Sequence, residues 1–230
     1  MTVTQDPVAT TYLRKTRIAY DVVAAGYTDM LSGLMADSTW DRSMLEAFSD
    51  LVKGPVVDVG CGPGRAAAFL ADLDVDASGI DLSPRMVDIA RHEHPGLKFE
   101  VGSLFEIDRP DASVAGLVAW YSLVHTPASL LPAAFAEFFR VLEPGGIVLV
   151  AFKVGDQRRA LTCAYGHDVD LETYDYPVEL MTDLLAKAGF EEQMRMVRAP
   201  EAREKQPQGY VVGVKPLNAA DPEAVDGGGA

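Results

Sequence analysis

Val56-Val57-Asp58-Val59-Gly60-Cys61-Gly62-Pro63-Gly64-Arg65, answered further along by Asp81, is the stretch that decides the fold. A short apolar run broken by one acid enters a glycine-rich turn and then the alanine-rich segment Arg65 to Leu73. That is a strand bending sharply into a helix, with Gly60, Gly62 and Gly64 bringing bare backbone close to a ligand where a Cβ would clash. Val75 to Asp81 reads as the next strand, and Asp81 follows Gly60 by 21 residues. A carboxylate at that strand end accepts from both hydroxyls of a ribose, and it would repel a 2′-phosphate. The glycine spacing separates ligands: dinucleotide fingerprints read GxGxxG, whereas here the order is Asp-x-Gly-x-Gly-x-Gly.

Outward from this stretch, strand and helix patterns alternate. Thr11 to Met35 and Trp40 to Val52 read as amphipathic helices, the second stopped at Lys53-Gly54-Pro55. Ser83-Pro84 supplies an N-cap and a first-turn proline for a helix through Met86 to about His92. Strand-like runs return at Leu97 to Val101, Val114 to Trp120 and Ile147 to Val154, with a helix at Pro132 to Leu142. Strands apolar along their length suit a parallel sheet covered on both faces, a doubly wound α/β fold. Pro177 to Ala188 predicts a further helix, and Glu192 to Arg198 with Gly209 to Lys215 an antiparallel hairpin at a sheet edge. The expected organisation is one domain over 1–217, with an N-terminal helical cap at 11–52, a ligand-binding core at 56–154, a substrate-side insertion and C-terminal strands at 155–217, and a disordered tail at 218–230.

Composition narrows the function classes. With 20 Lys+Arg against 34 Asp+Glu the formal charge is −14, which disfavours proteins that neutralise nucleic-acid phosphates or anionic membranes. Small-molecule chemistry is expected, with neither nucleic acid nor membrane as partner, in a monomer or homodimer. The two cysteines, Cys61 and Cys163, stand in no zinc spacing, and no metal site is expected. Absence of a secretory pattern at the N-terminus and of a disulfide framework points to a reduced, cytoplasmic setting.

The acid-and-glycine turn resembles motif I of the class I S-adenosylmethionine-dependent methyltransferases, and the resemblance extends from about Tyr20 to Phe190. It implies a Rossmann-like, seven-stranded, mostly parallel sheet with helices on both faces and an antiparallel C-terminal hairpin. It implies S-adenosyl-L-methionine as cofactor, S-adenosyl-L-homocysteine as product, Asp58 and the Gly60, Cys61, Gly62, Gly64 loop near the methionine end, and Asp81 on the ribose. Asp81-Leu82-Ser83-Pro84-Arg85-Met86 is similar to the family's D-x-S-x-x-M segment, in which Leu82 and Met86 flank the adenine. Gly102, Ser103 and Leu104 stand where the family commonly has Gly-Asp against the adenine amino group; Ser103 departs from that pattern, and a hydroxyl accepts more weakly than a carboxylate. Tyr20-Asp21 with Tyr27 resembles the helix that closes over the methionine moiety. Trp120 and Tyr121 occupy the mouth of the fourth strand, where open α/β sheets bind ligands.

His125, just beyond that strand, is the candidate general base, since a neutral imidazole takes a proton from a hydroxyl or amine near pH 7. A loop histidine that merely caps or packs would look the same in sequence. Tyr165, His167, Tyr174 and Tyr176, carried by the insertion, are expected to line an acceptor pocket that is partly apolar and suited to a ring. The function implied is methyl transfer to a small-molecule oxygen or nitrogen, such as a secondary metabolite. An NAD-type oxidoreductase and a non-catalytic S-adenosylmethionine-binding module remain the alternatives.

Overall fold

A computed structural model describes residues 7–31, 33, 38–201 and 204–217. In chain order its helices are α1 (Pro7–Leu31), α2 (Thr39–Leu51), α3 (Arg65–Asp72), α4 (Pro84–Glu93), α5 (Leu131–Val141) and α6 (Val178–Ala188). Its strands are β1 (Val56–Val59), β2 (Ala77–Asp81), β3 (Lys98–Val101), β4 (Val114–Trp120), β5 (Leu142–Lys153), β6 (Gln157–Ala164), β7 (His167–Asp175), β8 (Glu191–Arg198) and β9 (Gln208–Val214). Seven strands form one sheet in the order β3-β2-β1-β4-β5-β9-β8. The first five run parallel, and β9 and β8 close one edge antiparallel. This is the expected doubly wound sheet with its C-terminal hairpin.

Alternation along each buried strand feeds two cores. Val57 and Val59 of β1, with Leu117 and Ala119 of β4, pack with Phe135, Phe138, Met181 and Leu184 from α5 and α6. Val56, Val118 and Trp120 point the other way, among Leu45, Phe48, Leu70 and Val87 from α2, α3 and α4. Strand order reverses direction between β1 and β4, so a crevice opens at their carboxyl ends.

Three elements differ from expectation. Helix α1 begins at Pro7, and its described part ends at Leu31. Of the apolar residues whose spacing marks this helix, Ile18, Val22 and Met30 are exposed, at 52%, 47% and 52%, Leu13 and Tyr27 are half-buried, and Val23 and Leu31 are buried together with Ala9, Ala19 and Ala24. The small buried side chains let this helix lie close over the crevice, into which Tyr12, Leu13, Tyr20 and Tyr27 reach. Leu34, Met35 and the tail at 218–230 lie outside the described residues.

The second difference is β5, which starts at Leu142 because the Leu142-Glu143-Pro144-Gly145-Gly146 turn pairs, with a register shift, on β4. The third is the insertion, which forms its own antiparallel pair, β6 with β7. Tyr165 and Gly166, at φ 51 and 80, make the mirror-image two-residue turn whose twist matches a hairpin. Among the described residues no helix is long and apolar enough to cross a membrane, and both cysteines are free.

Helix α2 crosses the sheet where β4 has no side chain. A Cβ at Gly116 would stand 2.8 Å from a Val52 methyl and 2.9 Å from the Phe48 ring. Gly116→Ala is therefore expected to destabilise by about 1–3 kcal/mol through overpacking, read as a lower urea midpoint at unchanged m-value.

Candidate active site

The turn after β1 is held by its neighbour strand. The N–H groups of Gly60 and Cys61 donate to the Ile80 carbonyl at 2.8 and 2.9 Å. The Asp81 carboxylate accepts from Gly62 N–H through Oδ2 and from Ser83 N–H through Oδ1, both at 2.8 Å. Burial raises the Asp81 pKa, while those two N–H groups oppose the rise. Gly60 adopts φ +70, and a Cβ there would meet the Ser122 Cβ at 2.4 Å, so both conformation and space demand glycine.

Helix α1 docks over this turn through two adjacent side chains. Asp21 accepts from Ser83 Oγ at 2.6 Å and from Arg85 N–H at 3.3 Å, placing an anion at the N-terminus of α4. Tyr20 reaches the other way, its hydroxyl 2.9 Å from His125 Nε2, and its ring meets Tyr27 edge-on at 5.6 Å. His125 Nδ1 lies 2.6 Å from the Glu172 carbonyl on β7. A carbonyl only accepts, so Nδ1 carries the proton and the Nε2 lone pair accepts from Tyr20. Burial pushes the Tyr20 pKa well up and keeps that hydroxyl a donor. Burial lowers the His125 pKa to about 4; the Glu172 carbonyl pulls it back only partly, and the Lys153 charge adds to the fall.

Beneath this cap is a cavity of about 670 Å³, counted out to its mouth. Gly60, Gly62, Asp81 and Leu82 form one wall, and Gly102, Ser103 and Leu104 a second. Trp120, Tyr121 and His125 come from the end of β4 and beyond, and Tyr20 and Tyr27 from above. Tyr121 sits at φ +56, a strained value for a bulky residue, and its hydroxyl is 3.2 Å from that of Tyr210, which donates to Asp41.

Four residues expected at the cofactor do not line this cavity. Gly64 is the N-cap of α3, Met86 is fully buried on the inner face of α4, and the Cys61 thiol packs toward Gly79. Asp58 lies behind the loop at 1% exposure, with neither carboxylate oxygen hydrogen-bonded. Burial and the nearby Asp81 raise its pKa to about 7; the Ala67 N–H, short of a properly formed hydrogen bond, and Arg65 lower it only partly.

A second cavity, of about 910 Å³ counted out to its mouth, lies between α1 and β7 and shares Tyr12, Thr16 and His125 with the first. Of the four residues expected on the acceptor side, only Tyr174 lines it. Tyr165 packs edge-on against Tyr27 at 5.4 Å, Tyr176 is buried with its hydroxyl on the Thr126 carbonyl, and His167 is exposed beside the hairpin turn. Tyr12, Leu13, Thr16, Ser83 and Ser122 also line the first cavity, where no sequence expectation places them. Tyr12, Thr16 and Tyr20 recur every four residues on α1, a helical polar stripe that was open to reading. The Ser122 hydroxyl has no hydrogen-bond partner. Among the described residues, no group of His, Cys, Asp and Glu could hold a metal ion.

Residues 56–146 match the family described as a methyltransferase domain. The chain is 28% identical over 186 residues to a malonyl-[acyl-carrier protein] O-methyltransferase of Serratia marcescens, covering 69% of this chain and 71% of that one. It is 31% identical over 169 residues to a probable S-adenosylmethionine-dependent methyltransferase of Mycolicibacterium smegmatis, covering 70% of this chain and 63% of that one. The match thus spans a little under two thirds of the Mycolicibacterium protein's length. In three dimensions the chain is similar to the magnesium protoporphyrin IX methyltransferase of Synechocystis PCC 6803 with bound S-adenosylhomocysteine. There the TM-score is 0.69 at 14% identity, over 89% of this chain and 99% of that one, a likeness of fold.

The turn itself is testable without a ligand. Gly60→Ala is expected to cost at least about 1–3 kcal/mol, because it adds a positive-φ penalty to a collision with Ser122. Thermal unfolding checks this, with Gly96→Ala, where a Cβ meets nothing within 4 Å, as the neutral control.

Proposed function

We propose that the chain, with its methyltransferase domain over residues 56–146, is a class I S-adenosylmethionine-dependent methyltransferase and that it methylates a hydroxyl of a small molecule, with His125 taking the proton. In this reading residues 56–154 bind the cofactor, residues 11–52 cap it, and 155–217 supply the acceptor side. The observation that carries it is the imidazole held by Glu172 with its Nε2 lone pair at the cavity wall.

The first cavity suits the cofactor. Asp81 uses one lone pair of each oxygen on backbone N–H groups, so further acceptor sites remain for a ribose diol. Leu82 and Leu104 offer apolar contact for an adenine, and Ser103 a hydroxyl at its edge. The unpaired Ser122 hydroxyl and the buried, unpartnered Asp58 behind the glycine turn favour a polar, partly cationic group there. When bound, S-adenosylmethionine supplies a methyl carbon activated by positive sulfur for in-line displacement.

The protein then contributes alignment and a proton acceptor. An acceptor hydroxyl replaces that of Tyr20 on His125 Nε2. His125 Nε2 would then receive the hydroxyl proton, leaving the oxygen free to take the methyl that the sulfonium would give up, with the departing thioether keeping the bonding pair. A neutral imidazole with a fixed tautomer accepts from an O–H and has nothing to donate at Nε2, which favours hydroxyl over carboxylate acceptors.

His125→Ala is expected to lower kcat by about 10²–10⁴-fold while the dissociation constant for S-adenosylhomocysteine stays within about twofold. An undiminished kcat removes His125 from the mechanism. Because burial holds its pKa near 4, wild-type kcat is expected to show no histidine inflection between pH 8 and about 5. The same depressed value means the unfolded chain binds the proton first, so this group's contribution to stability falls as pH drops from about 6.5 to 4.

Asp58 has the opposite sign. Its raised pKa favours the folded, cofactor-free protein at low pH, and that contribution is lost as pH rises from about 4 through 7. Binding a cationic ligand near pH 6.5 is expected to ionise it and release most of one proton. Calorimetry in buffers of different ionisation enthalpy reads that release, and Asp58→Asn should abolish it.

A further inference from the structure

The cofactor reading leaves the second cavity without a role, although it is separated from the first only by the side chains that line both. Its helical wall is one face of α1, where Val8, Thr11, Tyr12, Lys15 and Thr16 recur at helical spacing; its other wall is β7, through Leu171, Glu172 and Tyr174, with Pro127 at the inner end. The charges at its rim are paired. Lys15 Nζ meets Asp170 Oδ2 at 2.7 Å, and the Glu172 carboxylate accepts from Arg158 and from the Tyr174 hydroxyl. What remains facing the space is mostly apolar: two tyrosine rings, a leucine, a valine and prolines. Tyr174 is held flat by Tyr176, the two rings 6.0 Å apart and inclined by 6°. A plate of this kind favours another ring, by stacking and by area removed from water.

We propose that this second cavity is the acceptor chamber and that it takes a neutral aromatic hydroxyl compound, entering between α1 and β7 and presenting its O–H to His125. The inference rests on the reading of the first cavity as the cofactor site. Three features fix the class. Among the described residues the rim charges are paired and leave no free cation for a carboxylate or sulfonate ligand, and desolvating an unpaired anion there would be costly. The flat tyrosine selects a planar body. His125, shared by both cavities with its lone pair already accepting a phenolic hydroxyl from Tyr20, selects a second hydroxyl of the same kind.

The test uses the full chain, with 1-naphthol as the neutral probe and 1-naphthalenesulfonate as its charged counterpart, each followed by equilibrium dialysis with and without saturating S-adenosylhomocysteine. Thr11→Trp and Val8→Trp, on exposed positions of α1 one helical turn apart, each place an indole in the chamber mouth. The proposal expects 1-naphthol to bind the wild-type protein in the presence of S-adenosylhomocysteine and to bind both variants at least about tenfold more weakly. Retained calorimetric affinity for S-adenosylhomocysteine, within about twofold, shows that the variants are folded. Displacement of 1-naphthol by S-adenosylhomocysteine, equal binding to wild type and both variants, preference for the sulfonate, or no naphthol binding each overturns it. Failure of S-adenosylhomocysteine itself to bind would instead overturn the cofactor reading, and the dialysis without it would still report on the chamber.

Discussion

The carboxylate of Asp81 holds the rest of the site in place. By accepting from Gly62 and Ser83 it ties the turn after β1 to the start of α4, across the ends of two neighbouring parallel strands. The backbone of that turn can then adopt left-handed angles and approach Ser122 without a Cβ between them. A buried carboxylate left unbonded would be costly, so the pairing stabilises the turn and leaves lone pairs directed to the cavity. Asp58, one strand earlier and lacking such donors, shows the contrast: its pKa rises to about 7.

The cap is built on this base by neighbours in sequence that reach in different directions. Asp21 binds the N-terminus of α4, while Tyr20 binds His125, which is itself held by the β7 carbonyl. Helix, hairpin and the loop after β4 therefore meet at one imidazole. Each of these bonds adds only on the order of 1 kcal/mol net, but together they define one tautomer and one direction for its lone pair. Lys15 and Asp170 join the same two elements at the surface, where an exposed ion pair contributes little to stability. Its consequence is charge neutrality at the mouth of the second cavity.

Most of the sheet was legible because its central strands, β1, β4 and β5, are buried on both faces and read as apolar runs between punctuating glycines and prolines. The Ser83-Pro84 helix start, the Gly189 stop and the C-terminal hairpin follow from local chemistry that survives in the folded state. The β6–β7 hairpin was not legible as strands. Val169 and Leu171 alternate with Asp168, Asp170 and Glu172, yet so many acids make the segment look like a solvated loop, and its turn uses Tyr165 where Asn or Asp is usual. Helix α1 was only partly legible, since Val23 and Leu31 of its apolar spacing are buried with Ala9, Ala19 and Ala24 while Ile18, Val22 and Met30 face out.

By itself, then, the sequence determined the doubly wound architecture, the glycine turn, the acid at position 81 and the likeness to a methyltransferase domain, because each is a local pattern with few physical alternatives. Only the tertiary structure decided that Asp58, Cys61, Gly64 and Met86 stand behind the cavity rather than in it, that Tyr174 alone of the four insertion residues reaches a chamber, and that His125 is locked between Tyr20 and Glu172. Those contacts join residues 105 and 47 positions apart. Periodicity and spacing describe one element at a time, and where a side chain points across two elements depends on how they pack.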